Sequence, residues 1–239
     1  GQELYAKNAA AQLPLASLTK LLTVYAALSE LPPSAPVTIP EDAAGAYPPR
    51  AFNAGQVFPL SDLARLTLTG SLNDGAIAIA DAAAQAEGRT PAAALAGAAA
   101  ALSLSQTYAV NANGLDENAS VSGGYGSAED IAKLAGALVN LAPEVAAATT
   151  ERTAAATSQG GTTVTAKNTD PIVENIPHLL LSKTGLTDLA GGNLALVFDV
   201  GIGHPVAIVV LGSTQDARFT DASALVAATF AHFAGVESL

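Results

Sequence analysis

Three short clusters contain the residue types needed for acyl-transfer chemistry. They are Ser17-Leu-Thr-Lys20, Ser71-Leu-Asn73 and Lys183-Thr-Gly185. Each pattern arises by chance in many proteins when it stands alone. The chain contains only five lysines, however, and two of them complete two of these clusters. The combination therefore indicates a serine nucleophile served by a lysine.

Ser17 and Lys20 have the spacing of a nucleophile and its base. Three residues apart on a predicted helix, they lie on one face, where their side chains can meet. Nearly all the remaining residues of this helix, Pro14 to Ser29, are apolar or small, so the helix is expected to be buried. Burial disfavours an ammonium group and lowers its pKa. A neutral Lys20 amine could take the proton of Ser17 and activate a hydroxyl that is otherwise a poor nucleophile.

The Lys183 cluster lies at the end of a predicted strand. A second cation brought close to Lys20 would lower the pKa of Lys20 further. Gly185 has no side chain, so a substrate backbone could approach the strand edge closely. The two lysines are therefore expected to converge on one cleft.

The order of the three clusters resembles that of the penicillin-recognising serine enzymes. Within that superfamily the sequence is most similar to the D-alanyl-D-alanine carboxypeptidases, the low-molecular-mass penicillin-binding proteins. The similarity spans almost the whole chain. Beyond the three clusters it includes Leu4 to Asn8, Asn73 to Ala76, Asn113 to Asp116, Ser127 to Asp130 and Ala190 to Gly192.

The resemblance implies a role for each catalytic residue. Ser17 would be the nucleophile, Lys20 the general base and Ser71 a proton relay toward the leaving amine. Asn73 would position Lys20 and the substrate amide, and Lys183 would supply positive potential.

The same resemblance implies a substrate-binding set on the strand, formed by Thr184, Gly185, Leu186 and Thr187. Thr184 would bind the terminal carboxylate of the substrate. The backbone N–H groups of Ser17 and Leu186 would form an oxyanion hole, whose fixed donors stabilise the tetrahedral state more than the ground state. No metal or organic cofactor is required by this chemistry.

Three positions depart from the family pattern or have two interpretations. Arg218 falls where the family often has an arginine after the last strand, and it either helps to hold a carboxylate or is a solvated surface residue. Leu72 occupies a position that usually holds a small residue and is expected to narrow the cleft. Ser182, directly before Lys183, replaces the commoner aliphatic residue.

The first two thirds of the chain have the pattern of a helical region. The buried helix at Ser17 is followed by a section with six prolines between positions 31 and 56, which indicates loop with short strands. Helices are predicted to begin where capping residues precede apolar runs, at Ser61-Asp62, Asn73-Asp74, Thr90-Pro91 and Ser127.

The last third is predicted to form a sheet. Short apolar runs at 179–182, 193–200 and 206–211 indicate antiparallel strands, and a turn at Gly201 to His204 joins the last two. A closing helix is expected from Thr220 to Phe233.

These elements predict an α/β (α+β) fold of the β-lactamase/transpeptidase-like class, with an antiparallel sheet flanked by helices plus an all-helical lobe. Gly1 to Asn8 has the pattern of the second half of a β-hairpin and is expected to add a strand. We expect a single penicillin-binding catalytic domain over 1–239, with a sheet lobe at about 1–16 and 160–239 and a helical lobe at about 17–159.

The composition excludes several other classes of function. The net charge of −11, from 10 basic and 21 acidic residues, would repel nucleic acid and anionic membrane surfaces. The absence of cysteine excludes disulfides and thiolate chemistry. The three histidines lack metal-ligand spacing.

The resemblance implies a serine D,D-carboxypeptidase that removes the terminal D-Ala from peptidoglycan stem pentapeptides through an acyl-enzyme on Ser17, and that β-lactams inhibit. We expect a monomer that acts outside the cytoplasm, in the periplasm or on the cell-wall side of the membrane. Export would require a signal peptide, which Gly1 to Tyr5 does not contain. A transpeptidase or endopeptidase role through the same acyl-enzyme stays open.

Two alternatives belong to other functional classes. A class A β-lactamase shares the fold and the clusters but needs a glutamate that activates the deacylating water. Glu144 and Glu151 lie in that region, yet neither is followed by the Leu-Asn pattern of those enzymes. A non-catalytic cell-wall binding or sensing module would keep the fold, but the intact clusters argue against it.

Overall fold

Helices dominate the first two thirds of the chain, and the longest strands lie in the last third. The computed structural model describes residues 1–201 and 203–235. Its helices are α1 (Thr19–Glu30), α2 (Glu41–Ala44), α3 (Leu60–Gly70), α4 (Asn73–Glu87), α5 (Pro91–Ala101), α6 (Ala128–Leu141), α7 (Pro143–Ala148) and α8 (Ala217–Phe233). Its strands are β1 (Leu13–Pro14), β2 (Pro36–Thr38), β3 (Val57–Pro59), β4 (Tyr108–Ala109), β5 (Gly124–Gly126), β6 (Thr153–Thr157), β7 (Thr163–Lys167), β8 (Leu179–Thr187), β9 (Gly191–Asp199) and β10 (Pro205–Ser213).

The three longest strands form an antiparallel sheet in the order β10-β9-β8. Both faces of the central strand, β9, are buried. Alternate side chains of a strand point to opposite sides of the sheet, so β9 contributes to two different apolar clusters. Leu194, Leu196 and Phe198 pack with α8, whereas Ala195 and Val197 belong to the core shared with the helices. β8 is left at the edge, with α7 beside it and α6 behind the sheet. Ile202, in the predicted turn between β9 and β10, lies outside the described residues.

Helix α1 is the centre of the helical layer. It packs against α3, α4, α5 and α6, and its apolar side chains, such as Leu21 and Val24, are fully buried. A helix that is apolar on every side needs this enclosure, and the enclosure also buries Lys20. Within the described ranges, no helix combines the length and the hydrophobicity needed to cross a membrane.

Three small antiparallel sheets complete the fold: β1-β5-β4, β2-β3 and β6-β7. The β6-β7 hairpin packs on α3 and was not predicted from the sequence. In β6 three consecutive alanines remove the alternation of apolar and polar residues, and β7, which does alternate, is only five residues long.

One expected element is absent, and another begins earlier than predicted. Gly1 to Asn8 contains no strand, and Leu4 and Tyr5 are 42% and 67% exposed, so an extended conformation there would bury no apolar face. The closing helix begins at Ala217 rather than at Thr220. Thr214 accepts a hydrogen bond from the Ala217 N–H, which starts the helix one turn earlier.

Candidate active site

Ser17 lies on a tight 3-10 turn, Ala16–Leu18, between β1 and α1. Ala16 has a φ of 49°, a left-handed conformation that costs a residue with a Cβ about 1 to 3 kcal/mol and is often found at functional sites. The backbone at Gly114 packs directly against Ala16, since a Cβ on Gly114 would lie 1.9 Å from the Ala16 carbonyl oxygen. This contact prevents the Ala16 backbone from moving toward Gly114. The turn holds the partly exposed Ser17 at the start of α1.

Lys20 is fully buried and points at the Ser17 hydroxyl. Its Nζ donates to Ser17 Oγ at 2.8 Å and to the Asn113 carbonyl oxygen at 2.7 Å. Burial lowers the pKa of Lys20 well below its usual range, and the positive charge of Lys183 lowers it further, against a weaker opposing effect of Asp74. The Lys20 amine therefore lies within hydrogen-bond distance of the Ser17 hydroxyl in surroundings that favour its neutral form.

Ser71 and Asn73 sit where α3 ends and α4 begins. Ser71 has a φ of 55° and turns the chain so that its hydroxyl faces β8. The Asn73 Nδ2 donates to the Tyr47 carbonyl oxygen at 2.8 Å. In the part of the chain that the structure describes, the buried Asn73 Oδ1 has no hydrogen-bond partner, and the recorded partners of Lys20 are Ser17 and Asn113.

Lys183 reaches from β8 to Ser71. Its Nζ donates to Ser71 Oγ at 2.9 Å and to the Thr184 carbonyl oxygen at 2.7 Å. Burial and, to a smaller extent, the charge of Arg218 lower the pKa of Lys183 to about 7, against an opposing effect of Asp170. Each buried lysine thus has its own serine, and the charge of one acts on the pKa of the other.

The strand residues after Lys183 lie directly against the Ser17 turn. A Cβ on Gly185 would be 2.9 Å from the Leu15 carbonyl oxygen and 3.3 Å from the Ser17 nitrogen, so glycine is required for this approach. The Thr184 hydroxyl lies 2.6 Å from that of Thr169. Leu186 has an exposed side chain.

Thr187 is held by protein partners. Its hydroxyl donates to Asp116 Oδ1 at 3.0 Å and accepts from the Ala190 N–H at 3.2 Å. Asp116 also accepts from the Leu189 N–H at 3.1 Å. Asp116 therefore ties the turn after β8 to the segment whose Asn113 carbonyl holds Lys20.

Arg218 is buried, which rules out the interpretation as a solvated surface arginine. Its Nη1 donates to the Gly185 carbonyl oxygen at 2.6 Å, and its guanidinium carbon lies 4.6 Å from the centre of the Phe219 ring. Leu72 is likewise buried, within the main hydrophobic core. Glu144 and Glu151, the two candidates for a deacylating base, are exposed.

Sequence reasoning missed three contributors to this site. The Asn113 carbonyl has no residue-type signal, although Asn113 lies in a segment that resembles the family. Thr169 and Asp170 follow a hairpin that was itself not predicted, and their partners on β8 are 15 and 12 residues away. Only the folded chain brings them together.

The chain can be compared with known proteins on this basis. The sequence model of the D-alanyl-D-alanine carboxypeptidase family, peptidase S11, matches residues 1–215. No curated protein sequence matches the chain. Penicillin-binding protein D2 from Listeria monocytogenes, solved in the ampicillin-bound form, is 26% identical, with a TM-score of 0.74 over 94% of this chain and 90% of that one.

Two further solved structures share the fold. The D-alanyl-D-alanine carboxypeptidase from Mycobacterium tuberculosis H37Rv is 24% identical, with a TM-score of 0.75 over 87% of this chain and 76% of that one. The Streptomyces K15 DD-transpeptidase is 23% identical, with a TM-score of 0.74 over 92% of this chain and 88% of that one. These likenesses confirm the predicted fold. Because the family model spans most of the sequence, the chain belongs to the D-alanyl-D-alanine carboxypeptidase family of serine peptidases.

Proposed function

We propose that the protein removes the terminal D-alanine from peptidoglycan stem peptides through an acyl-enzyme on Ser17. One observation carries the proposal: a buried amine, Lys20, lies 2.8 Å from the hydroxyl that it would deprotonate. An ammonium group is disfavoured at that position. The pair therefore has the geometry of a base and its nucleophile, and burial favours the neutral form of the amine that the base must have.

In the acylation step, Lys20 takes the Ser17 proton while Ser17 Oγ forms a bond to the carbonyl carbon of the scissile amide. The negative charge that develops on the carbonyl oxygen is stabilised by the N–H groups of Ser17 and Leu186. The proton held by Lys20 passes through Ser71 to the leaving nitrogen, the C–N bond breaks, D-alanine departs, and the rest of the peptide stays on Ser17 as an ester. Water then hydrolyses the Ser17 ester and regenerates the hydroxyl.

Substrate orientation would come from the strand and from Asn73. The free carboxylate of the terminal D-alanine would bind the Thr184 hydroxyl within the positive potential of Lys183 and Arg218, the latter buried against the same strand. The Asn73 Oδ1, an acceptor without a described partner, suits a substrate amide N–H. Gly185 lets β8 lie against the Ser17 turn, because a Cβ there would be 2.9 Å from the Leu15 carbonyl oxygen.

The same attack on a β-lactam would open the ring and leave the drug as an ester on Ser17. Support comes from penicillin-binding protein D2, solved in ampicillin-bound and cefotaxime-bound forms at 26% and 27% identity. Neither Glu144 nor Glu151 makes a side-chain hydrogen bond to Ser17 or Lys20 within the described residues, and a deacylating base must contact the water beside Ser17, so we expect a long-lived ester.

We further propose where and in what form the enzyme works. Its substrate, peptidoglycan, lies outside the cytoplasm, so the chain would act in the periplasm or at the cell wall. It would act as a monomer, as a single catalytic domain whose sheet lobe and helical lobe meet at Ser17.

The first test is mass spectrometry of the intact protein after incubation with ampicillin. We expect a covalent adduct that persists for minutes or longer on the wild type and is absent from Ser17→Ala. A D-Ala-D-Ala peptide should in parallel release D-alanine. Rapid loss of ampicillin without a stable adduct would instead identify a β-lactamase, and no reaction with either compound would identify a binding module. Cross-linked peptide in place of free acid would identify a transpeptidase.

A further inference from the structure

The turn that follows β7 forms hydrogen bonds with the residues on both sides of Lys183. Thr169 and Asp170 are consecutive residues of this turn. The Thr169 hydroxyl lies 2.6 Å from the Thr184 hydroxyl, and the Ser182 hydroxyl donates to Asp170 Oδ2 at 2.6 Å. The residues directly before and after Lys183 are therefore both held from the same two positions.

The turn is itself anchored. Asp170 is 2% exposed, and its Oδ1 accepts from the Ile172 N–H at 2.9 Å. Asn168 Oδ1 accepts from the Asp170 N–H at 2.9 Å, and Asn168 Nδ2 donates to the Thr149 carbonyl oxygen at 2.7 Å. The contacts run from the end of α7 through the turn to β8, so the position of Asp170 is fixed by the protein.

A buried carboxylate is costly unless charge or hydrogen bonds compensate it. Asp170 has a compensating hydroxyl in Ser182, at a position where an aliphatic residue would offer none. The cations that face Lys183 are Lys20 from α1 and Arg218 from α8. The Asp170 carboxylate acts in the opposite direction and favours the charged form of both Lys183 and Arg218.

We propose that Asp170, held by Ser182, is a positioning residue for the reaction at Ser17: its buried carboxylate fixes the Lys183 segment of β8 and supplies negative charge to the cluster of Lys183, Lys20 and Arg218. The inference rests on the proposed function, since it gives Lys183 the role of a cation in the site. A cation at Lys183 attracts the substrate carboxylate, and it also keeps Lys20 neutral as a base. Asp170 thus acts through Lys183 and does not contact the reacting atoms.

The test replaces the carboxylate by its neutral isostere, Asp170→Asn, and has two readouts. The first is the titration of Lys183, followed by NMR of lysine labelled with 13C at the ε-carbon. The wild-type midpoint is expected at about 7, and in Asp170→Asn it should fall by about one pH unit. The second is the rate of Ser17 acylation by a fluorescent penicillin. At pH 7 that rate should fall about five-fold, because the ammonium fraction of Lys183 falls by that factor.

Two variants make the comparison specific. Asp216→Asn removes the same charge from an exposed carboxylate that acts on Arg218, and we expect an unchanged Lys183 midpoint and acylation rate. Ser182→Ala keeps the carboxylate but removes the hydroxyl that holds it. It should slow acylation several-fold while the Lys183 midpoint stays within a few tenths of a unit of the wild type. This variant tests the anchoring even where Asp170→Asn does not fold.

The results separate the two hypotheses. An unchanged Lys183 midpoint in folded Asp170→Asn, an equal shift in Asp216→Asn, or a wild-type acylation rate in Ser182→Ala would overturn the inference about Asp170. A wild-type protein that is not acylated at all would overturn the proposed function instead, and the NMR titration would still decide the effect of Asp170 on the charge of Lys183.

Discussion

Lys20 illustrates how burial produces reactivity at the scale of one residue. Its amine donates to a hydroxyl and to a backbone carbonyl, groups that hold it in place without the charge of a carboxylate. Burial and Lys183 both favour the neutral amine. A lysine can respond to such surroundings by releasing its proton, whereas an arginine stays charged. The proposal of Lys20 as the base therefore depends on its pKa as well as on the reach of its side chain.

The first prediction at this scale is that Lys20→Arg loses acylation, because it replaces an amine that can be neutral by a group that stays charged. General-base catalysis contributes about 10² to 10⁴-fold, so the acylation rate with a fluorescent penicillin should fall within that range. Lys133→Arg is the matched control, because Lys133 is an exposed partner of Glu129, and its rate should equal that of the wild type. Near-wild-type acylation of Lys20→Arg would exclude Lys20 as the base.

A second prediction concerns the pH dependence of acylation. Lys20 must be neutral to act as a base, so the rate should rise with pH as Lys20 loses its proton. Lys183 has a pKa of about 7 and is needed as a cation, so the rate should fall again above that pH. We expect a bell-shaped profile of the acylation rate constant between pH 5 and pH 9. A flat profile would contradict the assignment of both lysines.

At the scale of elements, the Ser17 turn is shaped by the segment behind it. Gly114 has a φ of 79°, and a Cβ there would lie 1.9 Å from the Ala16 carbonyl oxygen and 2.8 Å from Thr19 Oγ1. The carbonyl belongs to backbone that cannot rotate away. The 3-10 turn, the start of α1 and the Asn113–Asp116 segment therefore fit together only with glycine at 114.

The corresponding prediction compares Gly114→Ala with Gly88→Ala. Gly88 also has a positive φ, of 63°, but a Cβ there meets nothing within 4 Å, so its substitution should cost about 1 kcal/mol of unfolding free energy. Gly114→Ala adds overpacking against the backbone and should cost about 3 kcal/mol in total. It should also slow acylation. Urea denaturation measures the difference, and equal costs at the two sites would contradict the close approach.

The elements also show why some features could be predicted and others could not. β9 and β10 have long apolar runs with a turn between them, and α6 begins at Ser127, whose hydroxyl accepts from the Asp130 N–H. Those signals are local in sequence. The strand expected at Gly1 to Asn8 had a β-like pattern but no buried face, so tertiary packing did not support it.

The residues of the candidate site also differ in whether the sequence could predict them. Residue type and spacing were enough to single out Ser17, Lys20, Ser71 and Lys183 as candidates. The hydrogen bond from Lys20 to the Asn113 carbonyl oxygen spans 93 positions, and any residue could supply a carbonyl. The sequence cannot specify such a contact without the fold.

For the whole molecule, the site joins two layers that fold around one pair of buried amines. The helical layer contributes Ser17, Lys20 and Ser71, and the sheet contributes Lys183. Burial of the two amines disfavours their charged forms, so folding at neutral pH must remove or compensate charge in the interior. Stability and catalysis are therefore linked through the same protons.

The final prediction follows from that linkage. Lys183 has a pKa of about 7 in the folded protein, against an ordinary value of 10.5, so between those pH values the unfolded chain binds more protons than the folded one. Raising the pH through this window destabilises the state that holds the extra proton, which is the unfolded chain, and so favours folding, whereas below the window the contribution is constant. Between pH 7 and pH 9 the amine should add about 2 kcal/mol to the free energy of unfolding.

Self-repulsion of an acidic protein acts in the opposite direction, so the difference between variants is the quantity to measure. Urea denaturation should show that Lys183→Met lacks this increase and that Lys167→Met, at an exposed position, retains it. If the wild type and Lys183→Met have the same pH dependence, Lys183 is charged in the folded protein throughout this range.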